Sequence, residues 1–188
     1  MDILTIGIIG AVVVVALILV GLYFSYYNRI RQYENQIDEA WSQIDVQLKK
    51  RYDLVPNLVE TVKGYATHER EIFEKVAQAR AGMIGGTPQE RMDASNMLTS
   101  GLRQLFAVAE AYPQLKANEN YLALQEELAT TENKIGFARQ YYNDVAKSYK
   151  NRVEVFPSNM IANMFGFKAE PFFQLETAGE RAVPQVKV

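Results

Sequence analysis

The sequence predicts an all-α protein: an N-terminal transmembrane helix followed by an antiparallel up-and-down four-helix bundle. Three observations carry that expectation. Hydrophobicity is unbroken over roughly the first two dozen residues, apolar residues then recur at steps of three and four, and no stretch alternates in the manner of a half-buried strand. The chain accordingly divides into an anchor over residues 1–27, a bundle domain over 28–173 and a flexible C-terminal tail over 174–188, polar and short of large side chains.

The anchor comes first. Residues Ile3 to Tyr27 hold no ionisable group other than tyrosine, and Leu4 to Phe24 is dominated by Ile, Val, Leu, Ala and Gly. At about 1.5 Å per residue that stretch spans roughly 30 Å, the thickness of a bilayer's hydrocarbon core. Tyr23, Tyr26 and Tyr27 cluster at its end, where a ring with a polar tip suits the headgroup zone. A cleaved signal peptide would want basic residues before a shorter apolar run and a small-x-small cleavage site, so the segment reads as a retained anchor. Arg29 and Arg31 follow the span and no Lys or Arg precedes it, which predicts a single pass with a cytoplasmic C-terminal domain.

The first bundle helix is expected from Asn28 to about Arg51, with Ile30, Tyr33, Ile37, Trp41, Ile44 and Leu48 on one face. No Gly or Pro separates it from Tyr27, so anchor and helix should form one rod. Pro56 then interrupts, since proline lacks an amide donor, and Asp53 is a plausible cap for a new helix there. Residues 51–56 form either a reversal or only a kink, the second leaving three helices, one of them very long. A second helix is expected from about Leu54 to Ala81, with Val55, Leu58, Val62, Tyr65, Ile72, Val76 and Ala79 inside, ended by Gly82, Gly85 and Gly86.

Thr87-Pro88-Gln89-Glu90 reads as a capping box with proline at the first helical position, opening a third helix that runs to about Tyr112 and is closed by Pro113. Its inner face is Leu98, Leu102, Leu105, Phe106 and Ala109. Asn118 can cap a long fourth helix, along which Tyr121, Leu124, Leu128, Ile135, Ala138, Tyr142, Val145 and Tyr149 keep a heptad-like spacing. Phe156-Pro157 stops it. Ser158 could cap a short helix bearing Met160, Ile161, Met164 and Phe165, ahead of Phe167, Phe172 and Phe173. Short connections between these helices favour antiparallel neighbours.

Composition removes several function classes. There is no cysteine, which excludes disulfides, thiolate metal sites, cysteine nucleophiles and lipid attachment at an N-terminal cysteine. Lys and Arg total 20 against 22 acids, and since Asp2 alone precedes Arg29, the part after the anchor carries 20 minus 21. Such a balanced surface argues against a nucleic-acid partner. The single histidine, His68, lacks the second histidine a metalloprotease helix needs and reads as an exposed or capping residue.

Other candidates have bland readings beside sharp ones. Glu132, Arg139 and Asn143 fall on one stripe that Asp45, Asp53 and Glu60 could face. A di-iron bundle wants paired Glu-x-x-His motifs, which are absent, so buried ion pairs fixing helix register are the stronger expectation. Trp41 is read as core, its replacement by alanine costing roughly 3–5 kcal/mol if buried. Lys49-Lys50-Arg51 is read as a helix C-terminus favoured by the dipole. The Phe and Met cluster after Pro157 either covers one end of the bundle or meets lipid or a partner.

The run from Trp41 through Lys49-Lys50-Arg51 and Pro56 to Glu60, continuing Val62 to Glu69, resembles the signature of LemA-family bacterial membrane proteins. Glu132 to Arg139, Tyr142-Asn143, Tyr149, Val155 to Asn159, Ala162 and Phe165-Gly166-Phe167 resemble the same family's closing pattern, so the likeness covers about Asn28 to Phe173. The resemblance implies a membrane anchor and a four-helix bundle, no established enzyme chemistry and a poorly defined role. Some members are encoded beside membrane metalloproteases, which implies partners among membrane proteases or quality-control components.

The reading is therefore a membrane-anchored helical scaffold or adaptor that binds the bilayer through residues 3–27 and binds other proteins, itself included, through its bundle. No catalytic residue, cofactor or metal ligand is expected. The rivals are a carboxylate-based metal-dependent hydrolase, in which Glu60 and Glu132 share a pocket, and a lipid-binding or bilayer-shaping protein using Phe165 to Phe173.

Overall fold

A computed structural model describes residues 3–66 and 68–173, and the tail expected over 174–188 lies outside the described residues. Its regular elements are helices: α1 (Ile3–Lys63), α2 (Arg70–Ala81), α3 (Pro88–Glu110), α4 (Pro113–Lys116), α5 (Glu119–Glu154) and α6 (Ser158–Phe165). The chain forms two compact units, one of Met1–Ala40 and Tyr141–Phe172, the other of Trp41–Gln140 and Phe173–Val188.

The second unit is the four-helix bundle. Within it Asp45 meets Arg91 and Arg51 meets Ser95, so α1 and α3 run the same way. Arg80 meets Tyr52 and Lys63 sits over Phe73, which sets α2 against α1. Asn118 reaches Tyr65 while Glu132 reaches Arg51, and Phe106 stacks on Tyr121 while Asn96 meets Arg139, which sets α5 against both α1 and α3. The topology is up-down-up-down. Its core is Ile44, Leu48, Val55, Leu58, Val62, Val76, Met92, Leu98, Leu105, Leu128 and Ile135, all buried. At the α2/α3 crossing Gly101 brings the helices close enough that an added Cβ would lie 3.0 Å from Val76 Cγ2.

One open alternative in the first half is resolved and two expectations are corrected. Of the two alternatives at residues 51–56 the reversal is not formed: α1 continues through Pro56 to Lys63 as one very long helix. The helix expected from Leu54 to Ala81 is consequently two pieces, the first belonging to α1 and the second being α2, parted at residues 64–69. Asp53 caps nothing; it lies in the body of α1, ion-paired with Lys49 at 3.5 Å.

The reason lies across the bundle. Pro56 has no N–H to give the carbonyl of Tyr52 four residues before it. Arg80 Nε on α2 donates to that carbonyl at 3.0 Å, and its guanidinium lies 3.6 Å over the Tyr52 ring. The helix therefore absorbs its proline because a neighbour fills the vacancy.

The start signals of α3 and α5 act as written, whereas Ser158 does not cap α6: it is the first helical residue after Pro157, and its hydroxyl donates to the Val155 carbonyl at 2.9 Å. Thr87 Oγ1 accepts from Glu90 N–H at 3.3 Å while Thr87 N–H donates to Glu90 Oε2 at 2.7 Å, a complete capping box. Asn118 Oδ1 accepts from Tyr121 N–H at 3.1 Å and starts α5. Gly85 and Gly86 adopt φ of 75° and 78°, the left-handed turn that ends the α2 hairpin. Helix α3 stops at Glu110, and Pro113 opens the single turn α4.

The first unit pairs the N-terminal part of α1 with the end of α5 and adds α6. Ile30, Ile37 and Ala40 of α1 are buried, as are Tyr142, Val145, Ala146, Tyr149 and Val153 of α5 and Ile161 and Ala162 of α6. The early part of α1 has an apolar window of mean hydropathy 3.2 with none of its residues buried, long enough to cross a membrane.

Candidate functional site

The densest chemistry in the second unit is a polar layer where α1, α3 and α5 meet. Arg51 projects inward because Leu48, Arg51, Val55 and Leu58 succeed each other at steps of three and four along α1, all buried. Its Nη1 donates to Ser95 Oγ at 3.0 Å and to the Ser95 carbonyl at 3.3 Å, and its Nη2 donates to Thr99 Oγ1 at 2.9 Å. Glu132 of α5 completes the set, with Oε2 at 2.9 Å from Arg51 Nη2 and Oε1 at 3.1 Å from Thr99 Oγ1.

A second guanidinium flanks it. Arg139, also buried, donates from Nη1 to Asn96 Oδ1 at 2.9 Å. Burial pushes the pKa of both arginines down, opposed at each by the nearby carboxylate of Glu132, and at Arg139 by Asp93 as well. A guanidinium stays charged through such a shift, so neither is a proton donor or acceptor at neutral pH. Outside this layer Arg91 pairs with Asp45 and donates to the Met83 carbonyl at 3.1 Å, while Lys50 pairs with Glu127 at 3.0 Å.

The structure brings together only some of the residues singled out by the sequence. Glu132 and Arg139 lie in the polar layer; Asn143 lies farther along α5, in the first unit. Asp45 faces Arg91 rather than Glu132. Glu60 is exposed on α1, nine residues beyond Arg51 and so about 14 Å along the axis from the level of Glu132, and the two carboxylates share no pocket. His68 is exposed in the α1–α2 connection. Among the described residues no group of three His, Asp or Glu side chains could hold a metal ion.

The basic run needs correction. Lys49-Lys50-Arg51 is not a helix end but mid-helix, with Arg51 in the core. A helix break placed there hides Arg51, and with it Ser95, Asn96 and Thr99, which sequence reasoning missed. The signal that finds them is the inward register of α1 continued past Leu48. Trp41 is half-buried rather than fully enclosed, its ring 5.6 Å from that of Phe173 and 5.6 Å from the Arg91 guanidinium.

In the first unit the aromatic segment after Pro157 is split in its surroundings. Phe167 is buried, with Arg31 4.8 Å over its ring. Phe165 stands half-exposed with its ring 4.7 Å from Tyr27 and 6.2 Å from Tyr23. Tyr26, Tyr33, Ser148, Asn151, Arg152 and the α5–α6 turn line a groove of about 520 Å³. Burial, aided by Glu170 and Asp38, pushes the Tyr142 phenol up to about 12.

Chemically the polar layer can act as a lock on helix register. Its bonds join α1 to α3, α1 to α5 and α3 to α5, and a register slip would strand a buried cation.

Comparison with known proteins finds a family model and several relatives. The family model described as LemA family matches residues 40–188. Magnetosome protein MamQ 2 of Paramagnetospirillum magneticum is 25% identical over 84% of this chain and 68% of its own length. Protein LemA of Metamycoplasma hominis is 25% identical over 82% of this chain and 74% of its own. MamQ of Magnetospirillum gryphiswaldense is 24% identical over 77% and 64%.

Proposed function

Since the chain belongs to the LemA family, we propose that it is a membrane-tethered helical adaptor, anchored in a bacterial inner membrane by the start of α1 and binding other proteins through its cytoplasmic bundle. The observation that carries this reading is the unbroken α1: the helix that supplies the apolar span also supplies one wall of the four-helix bundle. Binding is the use left to such a bundle. Arg51 and Glu132 in its interior are engaged in cross-helix pairing, and its outward faces carry large apolar side chains such as Phe137 and Met97, which are 72% and 60% exposed. The relatives' names, a magnetosome protein and a LemA protein, specify no reaction.

The test is crosslinking of the full chain in native membranes, followed by mass spectrometry. A discrete crosslinked species, a second copy or another protein, is expected, and Phe137→Glu should weaken it several-fold while leaving helical content unchanged. Recovery of the monomer alone overturns the adaptor reading. One bound transition metal per purified chain would favour the carboxylate enzyme instead.

A further inference from the structure

The segment from Val155 to Phe167 carries no charged residue; Glu154 and Lys168 flank it directly, and Arg152 lies one turn before its start. Helix α6 within it is two-faced: Ser158, Ile161 and Ala162 pack inward, whereas Met160 and Met164 point out. Together with Val155, Phe156 and Phe165 these form an exposed apolar face, from 45% exposed at Phe165 to 74% at Phe156. Scattered apolar residues on a surface are ordinary, but a contiguous face of this kind marks a contact.

Its position says what it contacts. Phe165, at the end of α6, stacks beside Tyr27 and Tyr23. Val155 and Phe156, before its start, share a groove with Tyr26. Tyr23, Tyr26 and Tyr27 lie within about 6 Å of one another along α1, at the end of the apolar span, where tyrosine rings mark the headgroup zone. Both ends of the segment therefore lie against the stretch of α1 that directly follows the apolar span, Phe165 beside Tyr23 and Tyr27, and Val155 and Phe156 beside Tyr26 and Tyr33. We propose that α6 and the turn before it form an interfacial element, lying along the surface of the membrane that α1 crosses, with Phe156, Met160, Met164 and Phe165 inserted at the headgroup–acyl boundary.

The physics favours this placement. A helix of eight residues with no charge loses no ionic hydration on entering the interface, and its large side chains gain burial. Lys168 at one margin and Arg152 one turn beyond the other suit lipid phosphates, and the acidic Glu154 between them lies 3.9 Å from Lys150. The occupant is lipid in the plane of the same bilayer, so ordering it costs little once the anchor is inserted.

The absence of native cysteine permits a clean experiment. Met160→Cys and Met164→Cys, each in the full chain reconstituted into phosphatidylcholine–phosphatidylglycerol vesicles, carry a nitroxide label whose accessibility to oxygen and to a water-soluble nickel chelate is measured. Val14→Cys marks the hydrocarbon and Met97→Cys the aqueous surface. The α6 labels should show an oxygen-to-nickel ratio several-fold above that of Met97, at a depth shallower than Val14. Aqueous values equal to those of Met97 overturn the proposal. So does spin–spin broadening between copies without oxygen enrichment, which would give the face to a second chain. An aqueous Val14 label would remove the anchor and this proposal together.

Discussion

Arg80 Nε donates at 3.0 Å to the carbonyl of Tyr52, the acceptor that Pro56 leaves without a helical partner. Removing Arg80 should expose that vacancy. Arg80→Ala is expected to cost roughly 1–3 kcal/mol. In a Pro56→Ala background, where a restored N–H satisfies Tyr52, the cost should fall by about 1 kcal/mol. A double-mutant cycle by urea unfolding in detergent measures this, and additivity to within about 0.5 kcal/mol would refute the coupling.

The ion pair of Arg51 and Glu132 is lopsided, with side-chain exposures of 3% and 42%. Losing Glu132 leaves a buried cation held only by the Ser95 and Thr99 hydroxyls and the Ser95 carbonyl, so Glu132→Ala should destabilise by about 1–3 kcal/mol, less than for a wholly buried pair because solvent screens this one. Arg51→Met replaces the cation by an apolar chain of similar length and should cost less. The reverse order of unfolding midpoints would show that the pair itself stabilises the bundle.

Tyr142 supplies an alkaline limit. Its folded pKa is raised to about 12, mainly by burial, against an ordinary value near 10. A raised folded pKa contributes stability that is complete below about pH 10 and lost as pH climbs through about 12. Tyr142→Phe should flatten the fall in melting temperature across that window. A residual slope remains from Tyr121 and Tyr149, whose phenols burial also raises.

Glu90 acts at the other end of the pH scale. The Thr87 backbone N–H, and then its hydroxyl, hold the Glu90 carboxyl below the usual carboxylate range. A depressed folded pKa contributes stability present above about pH 4.3 and lost as pH falls through the folded value. Glu90→Gln should therefore weaken the acid dependence of unfolding. Thr87→Ala, which removes the cap itself, should cost about 1 kcal/mol at neutral pH.

Much of the fold is legible in particular residues. Thr87 to Glu90 and Asn118 start helices by bonds to their own neighbours, so their roles can be read from the sequence. The inner faces of α3 and α5 are likewise readable, since Leu98, Leu102 and Leu105, or Leu128 and Ile135, declare themselves by spacing and are buried. The polar layer is half legible: Glu132 and Arg139 stand out on the α5 stripe, but a helix end expected at Arg51 conceals its inward register.

By itself the sequence determined an apolar span, an all-helical chain and the faces that pack, because hydrophobic burial repeats with the helical period and needs no knowledge of partners. Tertiary structure alone decided where α1 ends, which acid Arg51 meets and where α6 lies. The fate of Pro56 depends on a donor 24 residues away on another helix, and neither that bond nor the partners of a buried charge leave a periodic mark along the chain.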